Sequence, residues 1–386
     1  MSANEYDIVV IGAGMAGASV AAHLASDRRV LVLEREGQPG YHSTGRSAAL
    51  FSAIYGSEPV RALSRASHEF LFAPPSGFAE APLVRARPAM HIASAEQVER
   101  LAKFAALPDV APVSRTIGRD EALKLCPMLK PENVELAVVE LEAADVDVHG
   151  LHQAYLRLLR ERGGALLTDR DVEALCREGG RWRVTAGGEE FTAPILINAA
   201  GAWADKIAEQ AGVATIGLQP MRRTAILVEP PPGADIDDWP MVIDGDEQFY
   251  FKPDAGLLLL SPADETPMGP CDVQPDEWDV AVAVDRVETA TTLKVTRVKH
   301  RWAGLRSFVT DRTPVAGFDP DAPGFFWLAG QGGYGIQTAP ALSRVAAALA
   351  LGQPVPADIT AHGVNVADLS PARLRPLADA PREARG

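Results

Sequence analysis

The chain has 386 residues, 47% of them hydrophobic and 23% charged, with 37 Lys and Arg against 51 Asp and Glu for a formal net charge of −14. That length suits about two domains with sizeable cores, and the composition speaks against disordered, collagen-like and coiled-coil classes. The acidic balance, with a sequence pI near 5.1, speaks against a nucleic-acid partner, because duplex binding rests on a basic face. Cys126, Cys176 and Cys271 lie too far apart for a disulfide framework or a CxxC pair, so inert thiols in a reducing compartment are expected. The opening Met-Ser-Ala-Asn-Glu-Tyr-Asp is acidic and Ile8 to Ile11 is too short to cross a bilayer. The expectation is a cytoplasmic protein with no membrane span.

The first informative stretch runs from Tyr6 to Arg35. An apolar run, a glycine turn, a small-residue helix over 15–26 and a second run Val30-Leu31-Val32-Leu33 predict strand, turn, helix, strand. Residues 43–57 suit an ordered loop, and the prolines at 74, 75, 82 and 88 place a domain crossing nearby. The segment 94–129 reads as short helices. Asp147 is a candidate N-cap for a helix with Leu151, Tyr155, Leu158 and Leu159 at helical spacing, stopped by Gly163-Gly164.

Short strands follow at 165–167, 172–176, 182–185 and 194–197, the last leading into Asn198-Ala199-Ala200-Gly201. The region 217–300 reads as β-rich and as a separate sheet. The last unit is a strand over 324–330, a glycine cluster, and a helix over 341–351. The tail from Asp368 is expected to be weakly ordered.

Gly12-Ala13-Gly14-Met15-Ala16-Gly17 follows a strand and opens a helix, which is the context a dinucleotide fingerprint requires. The glycines let backbone approach a pyrophosphate at the helix N-terminus, and Glu34 ends the next strand where it would accept hydrogen bonds from a ribose. Asn198-Ala199-Ala200-Gly201-Ala202-Trp203 and Gly330-Gln331-Gly332-Gly333-Tyr334-Gly335-Ile336-Gln337-Thr338 put further small residues at strand ends, as a large flat ligand needs. A flavin suits that better than a nicotinamide, and the helix after Gly335 would aim its positive end at negative charge on a reduced ring. His149 and His152 stand three apart at a helix start, but no further ligand cluster accompanies them. They read as surface histidines, and no metal site is expected.

Together, the fingerprint, Pro39 to Ala49, Gly217-Leu218-Gln219-Pro220, Phe249 to Gly256, Ala303 to Phe308 and Gln331 to Thr338 resemble the bacterial FAD-dependent D-arginine dehydrogenases along nearly the whole chain. Those belong to the wider superfamily of D-amino acid, glycine and sarcosine oxidases. The resemblance implies an α/β (α+β) fold, with a Rossmann-like FAD-binding domain (1–84, 142–203 and 305–386) interleaved with a β-sheet-rich substrate domain (85–141 and 204–304). It implies non-covalent FAD held by the fingerprint with Glu34 and Arg35, by the loop Ser43, Thr44, Gly45, Arg46, Ser47 and Ala48, by Val172, by Ala199, Ala200, Gly201 and Trp203, and by Arg306 with Gly332 to Thr338.

It further implies that Arg223 and Arg306 hold a substrate carboxylate, with Tyr55 and Tyr250 completing the catalytic site. The residue types agree: arginine offers a bidentate fork, and a tyrosine hydroxyl adds an oriented bond. Read without the resemblance, Arg222 or Arg223 would be a solvated charge and the tyrosines core. Met241, Ile243, Gly333 and Gln337 are implied pocket residues. Where the arginine-preferring enzymes carry a histidine and a glutamate, this chain has Leu50 and Ala89. An alanine leaves a substrate guanidinium unpaired, which is costly in a buried pocket.

The expected function is therefore FAD-dependent oxidative deamination of D-amino acids with apolar side chains, with oxygen or a quinone-like carrier as acceptor. The alternatives are an enzyme for N-substituted glycines or cyclic imino acids, a nicotinamide dehydrogenase, and a non-catalytic flavin subunit of an electron-transfer complex.

Overall fold

The computed structural model describes residues 4–375. The strand Ile8–Ile11 lies inside a six-stranded sheet ordered Val315–Phe318, Phe325–Ala329, Ile195–Asn198, Ile8–Ile11, Val30–Leu33, Ala165–Leu167. All neighbours run parallel except Val315–Phe318, which is antiparallel to Phe325–Ala329. Ile8–Ile11 and Val30–Leu33 are buried throughout, which is why their sequences are unbroken apolar runs rather than alternations. Helices Met15–Leu24, Glu58–Phe72, Val148–Glu161 and Ala339–Ala350 share one core with the sheet. The antiparallel strands Val172–Glu178, Arg181–Ala186 and Glu189–Ala193 pack with helix Ala204–Gln210 in another.

A second, nine-stranded sheet runs Thr266–Pro267, Gln219–Val228, Leu257–Ser261, Tyr250–Asp254, Met241–Asp244, Ala89–Ala93, Leu136–Glu140, Ser114–Gly118, with Val298–Phe308 also paired to Gln219–Val228. Its own core includes Met90, Val139, Ile226, Phe251 and Leu260. The fold is thus a mixed α/β architecture in which two sheets take their strands from alternating parts of the chain. A small sheet of Leu50–Phe51, Ala144–Val146 and Val84–Ala86 completes the set.

Three expectations need correction. The segment 94–129 does contain helices Val98–Ala105 and Arg119–Leu125, but between them Ser114–Gly118 forms an edge strand against Leu136–Glu140. The region 217–300 is not wholly β: Glu277–Ala290 is a helix, its first turn capped by the Asp276 carboxylate accepting from the Trp278 amide at 2.9 Å. Val280, Ala283, Val287 and Ala290 recur at three and four residues and bury one face under the second sheet. The tail is ordered as far as it is described, with Val366–Leu369 and Pro371–Leu374 helical. Arg373 donates to Asp311 at 2.7 Å, and Arg375 to the Thr215 carbonyl at 2.9 Å. The remainder of the expected weak tail, from 376 onward, lies outside the described residues.

Candidate active site

The glycine turn is built by exclusion. Gly12 has φ +97°, and a Cβ there would meet the Ala199 carbonyl oxygen at 2.6 Å. A Cβ on Gly17 would lie 1.8 Å from the Gly12 oxygen, so the helix can sit this close to the strand only with glycine at both positions. Glu34, buried at the end of its strand, accepts from the Ala13 amide at 2.7 Å and the Glu36 amide at 3.0 Å. The Thr44 hydroxyl accepts from the Met15 amide at 3.0 Å, tying the loop to the helix start. His152, expected at the surface, is instead only 3% exposed, with Nε2 2.8 Å from the Ala13 carbonyl oxygen. Its spacing in the sequence gives no sign of this, because the partner lies 139 residues away.

One cavity runs from this turn across the interface of the two sheets. Gly12, Gly14, Met15, Ala16, Glu34 and Arg35 line it beside the turn. Val172, Ala199, Ala200, Gly201 and Trp203 line it at neighbouring strand ends, and Ser43, Thr44, Arg46, Ser47 and Ala48 along the loop. Leu50, Tyr55, Arg223, Met241, Ile243 and Tyr250 contribute the side facing the second sheet. Arg306, Gly332, Gly333, Gly335, Ile336 and Gln337 complete it.

Six expected residues do not line this cavity. Ala13 and Thr338 are fully enclosed, Thr338 with its hydroxyl donating to the Tyr334 carbonyl at 2.9 Å. Gly17 is the helix-to-strand contact, and Gly45 closes the loop by donating to the Gly40 carbonyl at 2.7 Å. Tyr334 lines an adjoining cavity, its ring 5.0 Å from that of Tyr55. Ala89 is completely buried between Glu140 and Met241 in the sheet. Residues two apart share a sheet face, and it is His91, two along from Ala89, whose longer side chain reaches both cavities.

The Arg306 guanidinium donates from Nη2 to the Tyr55 hydroxyl oxygen at 2.6 Å, leaving the Tyr55 proton free for a ligand. Burial opposes charge on Arg306, but Tyr55, Tyr250 and Tyr334 together raise its pKa above the ordinary arginine value. A Cβ on Gly333 would fall 1.5 Å from Arg306 Nη2, so that guanidinium lies directly over glycine backbone. Arg223 donates from Nε to the Asp264 carbonyl at 2.9 Å, with its guanidinium carbon 5.9 Å from the Tyr250 ring centre. Its neighbour Arg222 is 2.8 Å from Asp279 and does not line the cavity.

Of the remaining polar groups, Gln337 is one the resemblance implied, and Glu140, His91, Glu247 and Glu265 carry no sequence signature. Gln337 lines the cavity, but its amide accepts from the Ser52 amide at 3.2 Å and donates to the Ser52 carbonyl at 3.1 Å and Ser64 Oγ at 2.7 Å. That makes it a clamp on the loop rather than a free ligand contact. Glu140, wholly buried, accepts from Ser52 Oγ at 2.5 Å and the Ala53 amide at 2.6 Å. Burial pushes its carboxyl up to about 7, against the pull of those two bonds. Burial likewise lowers His91 to about 4, so the imidazole is neutral at neutral pH. Glu247, at φ +53°, lines both cavities, and Glu265 lines the adjoining one. Burial pushes the Cys126 thiol up to about 12, which makes it inert. Among the described residues no group of three or more His, Cys, Asp or Glu is arranged to hold a metal, and no helix is long and apolar enough to cross a membrane.

Comparison with known proteins places this geometry. The family model for FAD-dependent oxidoreductases of the DAO type matches residues 7–349. FAD-dependent oxidoreductase domain-containing protein 1 of Xenopus laevis is 30% identical over 176 residues, 40% of this chain and 34% of that protein, so the match spans about a third of that relative. A glycine oxidase of Geobacillus kaustophilus is 23% identical over 87% of this chain and 90% of its own length. The crystal structure of glycine oxidase from that organism superposes with TM-score 0.81 at 21% identity, covering 91% of this chain and 96% of that one. An L-proline dehydrogenase structure from P. horikoshii gives TM-score 0.79 at 21% identity, covering 96% of this chain and 98% of that one.

Proposed function

The chain belongs to the DAO family of FAD-dependent oxidoreductases, and we propose that within it this protein oxidises D-α-amino acids with apolar side chains. A hydride would leave Cα for flavin N5, and water would hydrolyse the resulting imino acid to a 2-oxo acid and ammonia. The observation that carries the reading is the cavity region where Arg306, bonded to Tyr55, and Arg223 stand beside the apolar Leu50, Met241 and Ile243. Two nearly covered guanidiniums suit a carboxylate, and three apolar residues suit a hydrocarbon side chain.

The residues present fit FAD. The cradle at Gly12 to Gly17 keeps bare backbone at the cavity wall, Glu34 is held there by two amides, and the cavity continues unbroken to Arg306. When bound, the flavin supplies the two-electron acceptor. The protein's own tasks are binding, orientation and proton handling. Arg306 and Arg223 fix the carboxylate, and the free Tyr55 proton adds an oriented hydrogen bond. The ammonium must lose a proton before a hydride can leave, and water reaches it through Tyr55 or Tyr250. No pocket carboxylate or histidine is assigned as an obligatory base: burial lowers His91 to about 4, which makes its imidazole a weak base.

The test is anaerobic mixing of the purified holoprotein with D-leucine, D-methionine, D-phenylalanine, D-arginine, their L-enantiomers, sarcosine and proline, followed at the flavin absorbance. Bleaching fastest with the apolar D-amino acids is the expected result. Faster bleaching by D-arginine, sarcosine or proline overturns the substrate class. Bleaching by none, with FAD present, would overturn the substrate class and leave a site turned to another amine or acid, or a non-catalytic flavin subunit.

A further inference from the structure

Three guanidiniums, not two, meet beside the substrate region, and one carboxylate stands among them. Glu265 accepts from Arg312 through both oxygens, Oε2 from Nη1 at 2.9 Å and Oε1 from Nη2 at 2.5 Å. The same Oε1 lies 3.3 Å from Arg223 Nη2 and 4.0 Å from Arg306 Nη1. A single oxygen thus faces all three arginines. Arg223 and Arg306 are nearly covered, while Arg312 is 44% exposed at the outer side. Burial works to raise the Glu265 pKa, but Arg312, Arg223 and Arg306 hold it below the ordinary carboxylate value, so the group is charged. Glu247, on the loop lining both cavities, adds a second negative group on that side.

Resting on the reading of Arg223 and Arg306 as the carboxylate anchor, we propose that Glu265 is a resident carboxylate occupying the second anion position of a three-arginine cluster, and that it restricts the enzyme to substrates with one carboxylate. A ligand with one carboxylate binds Arg306 and Arg223 and leaves Glu265 on Arg312. A second carboxylate entering the adjoining cavity would meet Arg312 already engaged by a bidentate partner, in a cavity lined by both Glu265 and Glu247. Like charges so placed discriminate strongly between partners. Glu265 acts through charge, so its effect shows in the choice between ligands rather than in loss of the fold.

Calorimetric titration of the holoprotein with propionate and with succinate tests this, with wild type, E265Q and the charge-retaining E265D. Wild type is expected to bind succinate at least about tenfold more weakly than propionate, E265Q to lose most of that preference, and E265D to keep it. Equal affinity of wild type for the two acids overturns the proposal with no variant needed, as does an unchanged preference in E265Q. If neither acid binds wild type, the carboxylate-anchor reading itself falls. If propionate binds and R306M abolishes it while the preference is absent, only the role of Glu265 falls.

Discussion

At the scale of single residues, the site is held by contacts that leave no room for alternatives. Gly333 exists so that Arg306 can lie on the backbone, since a methyl there would sit 1.5 Å from Nη2. Gly333→Ala should therefore displace the guanidinium and lower kcat/KM per bound flavin by about a hundredfold, the scale of a misplacement of roughly 1 Å, and should lower the FAD content as well, because both residues are among the implied flavin contacts. Steady-state kinetics with the flavin-to-protein ratio measured in parallel checks both halves. Glu140 gives a pH prediction. Its carboxyl is raised from 4.5 to about 7 by burial, so the folded protein binds its proton more tightly than the unfolded chain does. Its contribution is complete below 4.5 and is lost as pH rises through about 7, a span on the order of 3 kcal/mol. In Glu140→Gln this part of the slope should vanish, because the amide still accepts from Ala53 and can donate to Ser52. Thermal unfolding at about pH 5 and about pH 8 should show a smaller difference in Tm for the variant than for wild type. An identical difference would mean that the carboxyl titrates normally.

At the scale of elements, what could be read from the chain was what depends on neighbours in sequence. Ile8 to Leu33 repeats the pattern of strand, turn and helix locally, and Asp147 caps its helix by accepting from the Gly150 amide three residues on. The apolar face of Glu277–Ala290 was equally local but was hidden among strand-like valines and threonines on either side. Contacts between distant segments were not legible. The register that brings His91 opposite Ile243 sets which side chains reach the cavity, and it arises from sheet pairing across 152 residues of chain. It explains why Ala89, in a position inferred by resemblance alone, stays outside the cavity. His152 is of the same kind: it joins the helix Val148–Glu161 to the glycine turn through the Ala13 carbonyl. Replacing His152 by Leu removes that bond and should cost about 1–2 kcal/mol. The turn would loosen, so a lower Tm should come with a lower flavin-to-protein ratio after gel filtration. A lower Tm with full flavin content would confine His152 to packing.

At the scale of the whole molecule, each sheet has its own large core, and the two are joined at the cavity and by two small apolar clusters, Ala202 with Val273, Ala303 and Leu305, and Val60 with Phe308 and Tyr334. Ser43 donates to the Leu305 carbonyl at 2.6 Å, Arg46 to the Val273 carbonyl at 2.9 Å, and Trp302 to the Arg46 carbonyl at 2.9 Å. These bonds tie the loop beside the proposed flavin position to the strand Val298–Phe308 of the second sheet and to the segment that precedes the helix Glu277–Ala290. The boundary proposed at 304/305 falls inside the strand Val298–Phe308, whose later residues include Arg306. A ligand filling this seam contacts both sheets at once, so its binding energy adds to the stability of the whole assembly rather than of one half. We expect the flavin to be non-covalent. Acid precipitation should then leave intact FAD in the supernatant, and adding FAD back to the apoprotein should raise Tm progressively with FAD concentration. A single unfolding transition that moves as one unit is the expected signature. Two transitions, only the first of which responds to FAD, would show that the sheets unfold independently and that the bonds from Ser43, Arg46 and Trp302 do not couple them. Flavin that remains with the acid pellet would replace the non-covalent reading with a covalent link.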